Sequence, residues 1–326
     1  MMNYEEFKKN VTDKFLEFMP EECRELKVKI ISVNKVNRSE DGLNLVGKDT
    51  KISPTMYITA MYNEYCKVGN FEAVMQKAAD RMYEAMQTME ETMEHVNFDN
   101  PEKRIIFTIV NTEQNEHMLA NVPHRQFLDL SIVYRFVFAY DERLGCESTT
   151  ITNDLAEHLG FTEEQLYEMA YENTKNLFPT SIMDTKTVME KMLVEAGAPE
   201  EVIEELRNEG ELRLPMFVIS NSARINGASG ILYKDVLEKL ASELEDNLFI
   251  MPSSIHEVLA VRERDADEVT LINMVGQVND ESVEIGERLS YSLYRYDRNT
   301  KEISIASANF GETPKKKWET PRIEEV

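Results

Sequence analysis

Two hydroxyls, an imidazole and a carboxylate fall within five residues in the run Ser253-Ser254-Ile255-His256-Glu257. A serine beside a histidine can support nucleophilic catalysis. The histidine takes the hydroxyl proton, and a third polar group holds the ring in place. His256 would be the base, Ser254 or Ser253 the nucleophile, and Glu257 or Asn221 the orienting group. Such a pair works only if hydroxyl and ring nitrogen come within about 3 Å. Neighbours on a strand point to opposite faces, which counts against Glu257. The competing reading is a turn built by the two serines after Pro252, with His256 satisfying a backbone group.

A second candidate is Ser220-Asn221-Ser222-Ala223-Arg224-Ile225-Asn226-Gly227-Ala228-Ser229-Gly230. Its small residues permit close backbone approach, and a following helix N-terminus could receive an anion. Asn226, Gly227 and Gly230 are the ligand-binding candidates there. The run has no P-loop lysine, so tight packing of loop against sheet is the alternative. His117 and His124 lie seven residues apart near Glu113 and Glu116, but Pro123 interrupts any helix that would align them. No metal site is expected. No dinucleotide fingerprint, phosphate loop, zinc-protease, nucleophile-elbow or EF-hand motif occurs, and no cofactor is expected.

The elements around these residues read as an α+β mixture. Apolar residues at spacings of three and four mark helices over Tyr4–Met19, Phe71–His95 and Tyr233–Leu244. In the longest of these, Phe71, Val74, Met75, Ala78, Met82, Met86, Met89 and Met93 form a stripe. Methionine suits either a core or an adaptable binding surface. Ser53-Pro54-Thr55 reads as a helix start, and Thr162-Glu163-Glu164-Gln165 as a capping box. Ile105–Val110, Asp129–Tyr140 and Met216–Asn221 read as strands, the second of them central. Leu248–Met251 and Val258–Val261 flank the Ser-His run. A hairpin is expected around Ser39–Gly42, and another around Asp297–Asn299 with Ile303 and Ile305 turned inward. Asp184–Gly210 reads as a charged helical arm, broken at Gly197-Ala198-Pro199. No regular β-α-β rhythm appears, which favours mixed or antiparallel sheets packed on helices.

Lys and Arg number 36 against 60 Asp and Glu, a net charge of −24. That charge repels phosphate backbones and anionic lipids, so neither nucleic acid nor membrane is an expected partner. It also admits an acidic mimic of nucleic acid. The three cysteines, Cys23, Cys66 and Cys146, form no paired motif and fit a reducing compartment. With no apolar leader at the N-terminus, the expectation is a cytoplasmic protein. The chain suits two halves, 1–150 and 151–311, with a soft boundary at Gly145–Thr152 and a disordered tail over 312–326.

Five stretches are familiar together: NEHMLANVPHRQFLDLSIVYRF, LAEHLGFTEEQLYEMAYENTKNLFP, VISNSARINGASGILYKDVLEKLA, LFIMPSSIHEVLAV and MVGQVNDESVEIGERLSYSLYRYD. On these the chain resembles domain-of-unknown-function family 5688 from about residue 50 to residue 300. A weaker resemblance links the second half to family 1444. The resemblance implies a bacterial cytosolic setting and assigns no activity or catalytic residue. The leading expectation is a non-enzymatic module that binds an unknown protein partner, with the oligomeric state open. A small hydrolase or transferase at Ser254 and His256 is the alternative, and the acidic mimic a further one.

Overall fold

The computed structural model describes residues 1–47, 53–95, 100–141, 145–208 and 214–308. The chain divides into two compact units, Met1–Pro101 and the residues from Glu102 onward.

The first unit opens with α1 (Tyr4–Lys14), whose start carries a full capping box. Asn3 accepts the Glu6 backbone N–H, and the Glu6 carboxylate accepts that of Asn3. Phe7 and Val11 on one face are fully buried. β1 (Lys27–Lys35) and β2 (Arg38–Val46) form an antiparallel hairpin, with β3 (Met56–Tyr57) added along β2. The hairpin turns at Val36-Asn37, not at Ser39–Gly42. Lys35 faces Arg38, and Asn37 takes the left-handed backbone (φ 58°) that a two-residue turn demands. Gly42 instead lies inside β2. A β-carbon there would fall 2.6 Å from side-chain atoms of both Val33 and Thr55.

Ser53 does not start a helix. Its hydroxyl accepts the Leu45 N–H, and α2 (Ile58–Val68) begins after β3 without a side-chain cap. Gly69 (φ 71°) ends α2. α3 (Phe71–His95) then lays its methionine stripe into the core. Met75 and Met82 are fully buried beside Leu43, Leu45 and Ile58. The side chains of Met89 and Met93 lie outside the described residues.

In the second unit, β4 (Ile105–Asn111) is buried along its whole length. α4 (Glu116–Leu119) and β5 (His124–Phe127) follow. β6 (Leu130–Asp141) is the central strand. It pairs β4 on one side, and on the other β5 along its first residues and β7 (Gly145–Thr150) along the rest. The segment Gly145–Thr152 thus lies within this unit, and Ile151 belongs to its core.

α5 (Asn153–Leu159) ends at Gly160. α6 (Glu163–Leu177) carries the expected capping box, with Thr162 and Gln165 bonding each other's backbone N–H. Next come β8 (Thr180–Asp184), α7 (Thr185–Glu195), α8 (Glu200–Asn208) and β9 (Met216–Asn221). α9 (Lys234–Glu243), β10 (Leu248–Met251), β11 (Val258–Arg262), α10 (Glu268–Glu281), β12 (Ser292–Asp297) and β13 (Glu302–Ala308) complete the unit.

Six strands form one sheet in the order β13-β12-β10-β11-β9-β8, every described pairing antiparallel. One face packs Ile219, Ile250, Ala260 and Tyr294 into the core shared with β4, β6, α6 and α9. The opposite face packs Phe249, Val261 and Leu293 against Leu271 and Val275 of α10. The fold is α+β with antiparallel sheets. Ile303 packs on the main core, but Ile305 is 42% exposed, not inward. β13 is an edge strand, and a bulge opposite Leu293–Tyr294 sits beside Ile305. The proposed tail lies outside the described residues.

Candidate functional site

The loop after β9 and the loop between β10 and β11 meet at the end of the six-stranded sheet. The Ser220 hydroxyl donates to the His256 carbonyl at 2.8 Å, and the Ala228 N–H to the Ile255 carbonyl at 3.2 Å. Gly227 sits where a β-carbon would lie 2.4 Å from Ser220 Oγ, 2.6 Å from the His256 carbonyl oxygen and 2.7 Å from the Asn221 nitrogen. Gly230 is similarly tight, 2.9 Å from Thr180 Cγ2. These glycines are present because two backbones approach closely.

The same contacts decide what His256 can do. Its Nδ1 accepts the Asn226 backbone N–H at 3.2 Å, so that nitrogen is unprotonated and the ring hydrogen sits on Nε2. Nε2 faces Glu287 Oε1 at 3.5 Å. The acidic neighbour of the ring is therefore Glu287, not Glu257, whose backbone carbonyl takes the Ser254 N–H. Ser254 Oγ accepts the His256 backbone N–H at 3.1 Å, closing a serine turn. Among the described residues Ser253 Oγ reaches only the Glu257 carbonyl, at 3.4 Å. Asn221 bonds the backbone of Ile225 through both ends of its amide. Among the described residues no serine hydroxyl bonds a nitrogen of the His256 ring. The structure brings Ser253, Ser254, His256 and Asn221 into one loop cluster and engages each in holding the backbone.

The anion-binding expectation at Asn226, Gly227 and Gly230 meets a similar arrangement. Asn226 (φ 52°) precedes a short 3-10 turn over Gly227–Leu232. The N–H groups of Asn226, Ala228 and Ser229 already bond His256, Ile255 and Asn226 itself. Among the described residues no group of three or more potential metal-ligating side chains occurs. No described helix is long and apolar enough to cross a membrane.

Two polar clusters escaped the sequence reading. The Asp129 carboxylate accepts hydrogen bonds from Ser290, Ser292 (2.9 Å) and Tyr294 (2.6 Å), tying β12 to the turn before β6. Burial, and then the Asp129 charge, push the Tyr294 phenol well above its ordinary range. Elsewhere, Arg125 forks onto Glu163 at 2.9 and 3.1 Å, stacks 4.0 Å from the Tyr167 ring centre, and shares Glu163 with the Tyr134 hydroxyl. Burial raises the Glu163 carboxyl, but the Arg125 and Tyr134 bonds outweigh it and hold the group below its usual range. The Glu163 of the capping box was the one visible signal, and it does not reveal that the side chain faces Arg125.

The arm presents a different surface. α7 buries none of its residues, and α8 buries only Ile203 and Leu206. Met189 and Met192, three apart and so on one side of α7, are 47% and 57% exposed. Val194 (55%) lines a shallow groove with Glu190, Lys191, Glu195 and Arg224. Val202 of α8 is 42% exposed. Arg207 of α8 ties the two helices through Glu190 and also pairs with Glu200 of its own helix, and Arg224 anchors α7 through Glu195. Glu201, Glu204 and Glu205 are exposed and form no ion pair among the described residues.

The model of the family of unknown function DUF5688 matches residues 4–298. This chain belongs to that family. The DUF5688 match runs through both compact units and takes in the arm and both loops. No curated protein and no solved structure matches the chain.

Proposed function

We propose that this DUF5688 protein is a non-enzymatic protein-interaction module whose docking surface is the α7–α8 arm. One observation carries the reading. Of the nine large apolar side chains that stand exposed among the described residues, four lie on this arm: Met189 and Met192 on one side of α7, Val194 on the other side of that helix, and Val202 on α8. Exposed apolar groups gathered in one place mark interaction sites more often than single ones scattered over a surface. Methionine adds the flexibility that lets one surface adapt to a partner. The geometry at Ser254 and His256 lends the hydrolase alternative no equivalent support, since the polar groups there bond the backbone. The free thiols of Cys23, Cys66 and Cys146 suit the bacterial cytosol as the setting.

The test is a Met189→Ser, Met192→Ser double variant beside the wild type. Both are used as bait, and the species retained only by the wild type is identified, purified and titrated. A purified partner that binds the wild type about tenfold or more tighter than the variant supports the reading. Equal binding by both forms overturns it.

A further inference from the structure

We infer that Arg104 and Arg135 form a binding site for an oxyanion, a phosphate or carboxylate group, at a bulge in β6. The inference does not depend on the arm. Six arginines are half-buried among the described residues. Four of them, Arg125, Arg262, Arg288 and Arg295, face a carboxylate at 2.5 to 3.8 Å. Arg104 and Arg135 pair with none of the described carboxylates, in a chain that carries 60 acidic residues. A guanidinium withdrawn from water is ordinarily paired, because its charge is poorly solvated there. Burial accordingly holds the Arg135 group below its ordinary range.

The two lie together. The Arg104 carbonyl accepts the Val137 N–H at 2.8 Å and Ile106 pairs Arg135, so both arginines belong to the sheet face that carries Ile106 and Val137. Phe138 is the extra residue of the bulge, between the Val137–Ser148 and Ala139–Glu147 pairs. Arg104 Nη1 donates to the Phe138 carbonyl at 3.0 Å and to that of Val137 at 3.5 Å. Arg135 donates from Nε to Ser148 Oγ at 2.9 Å, from Nη2 to the Ser148 carbonyl at 2.8 Å and from Nη1 to Thr150 Oγ1 at 3.1 Å. Every one of these acceptors is neutral. The bonds fix both guanidinium planes and leave donors over. Nε and Nη2 of Arg104, and one N–H on each of Arg135 Nη1 and Nη2, bond nothing among the described residues. A fixed guanidinium fork with spare donors matches the paired oxygens of a phosphate or carboxylate. Two like charges gathered without a counter-ion also repel, and a bound anion relieves that repulsion. The net charge of −24 opposes such a ligand at a distance, so its affinity has to come from these two forks.

The test is equilibrium dialysis of the full chain against radiolabelled inorganic phosphate and, separately, succinate, with chloride holding the ionic strength constant. Saturable binding of at least one of them is expected, and the one that binds names the head group. Arg135→Gln and Arg104→Gln should each weaken it about tenfold or more, since each removes charge-assisted hydrogen bonds. Arg135→Lys keeps the charge without the fork and should fall between. Arginines that only brace the bulge would shift the melting temperature and leave no binding to lose. Phenylglyoxal modification of the wild type, mapped by mass spectrometry, keeps the test open where a variant fails to fold. The ligand should shield Arg104 and Arg135 and leave the exposed Arg81 and Arg298 reacting as before. Absence of saturable binding, binding that either glutamine variant retains in full, or equal shielding of all four arginines overturns the inference.

Discussion

Replacing Gly227 with alanine would probe the contact between the two loops most directly. The added β-carbon would lie 2.4 Å from Ser220 Oγ, 2.6 Å from the His256 carbonyl oxygen and 2.7 Å from the Asn221 nitrogen. Two of those atoms are backbone, one in β9 and one in the opposing loop, so neither can swing away. Overpacking of this kind costs about 1–3 kcal/mol. Parting the loops also weakens the Ser220–His256 and Asn226–His256 bonds, worth about 1 kcal/mol each. A total of about 3 kcal/mol corresponds to a fall in melting temperature of roughly 6–12 °C for a unit of this size. The assay is thermal and urea denaturation followed by circular dichroism. Gly160→Ala is the control. Its position needs the left-handed backbone (φ 75°) but has open space around it, so the cost there is about 1 kcal/mol. Adding Ser220→Ala to Gly227→Ala should recover part of the loss, because the nearest clashing atom is gone. The reasoning fails if Gly227→Ala is no more costly than Gly160→Ala, or if the Ser220 and Gly227 effects simply add.

Asp129→Ala leaves three hydroxyls without their acceptor, all on buried residues (Ser290, Ser292 and Tyr294), and should destabilise by about 3 kcal/mol or more in urea titrations. An effect under about 1 kcal/mol would mean that those hydroxyls find other partners. Glu263 is held below its ordinary carboxyl range, chiefly by its bond to Arg295. Its folded-state pKa is lower than its unfolded one. Its contribution is therefore present above the ordinary value of about 4.3 and is lost as pH falls through the folded value. Melting temperature measured across acid pH should thus fall more steeply for the wild type than for Glu263→Gln, and parallel curves would contradict the assignment. Thr162→Ala removes the α6 cap, which should cost about 1 kcal/mol and speed amide exchange at Gln165. Unchanged exchange there would show that the cap is redundant.

Local chemistry was the legible part of this fold. The Thr162 capping box, the central strand β6 and the broken arm all depend on residues within a few positions of each other. The sequence errors share a different cause. Ser39-Glu40-Asp41-Gly42 has turn composition, yet Gly42 serves a strand because Val33 and Thr55 fill the space above it. Ser53-Pro54 has the look of a helix start, yet the serine bonds Leu45 on a neighbouring strand. Ser254 and His256 are adjacent in sequence and look catalytic, but their geometry is set by Asn226 and Glu287, each about 30 positions away. The Asp129 cluster spans more than 160 positions and leaves no local pattern at all. The arm was visible as charged helices, but which of its apolar residues stay in solvent depends on how α7 lies on β8 and β9.

The placement of that arm has a consequence for how the chain tolerates insertions. β8 and β9 are hairpin partners whose last and first pairs include Asp184 with Phe217, and the whole arm is threaded through the bend between them. Loop closure depends only weakly on length, each doubling adding about 0.6 kcal/mol, so a hairpin tolerates long additions at its tip. A change in the length of the connection between Asp184 and Met216 would therefore leave the strands on either side in register. The sheet holds the two ends of the connection in fixed register, so the length of chain between them is not set by the strands themselves.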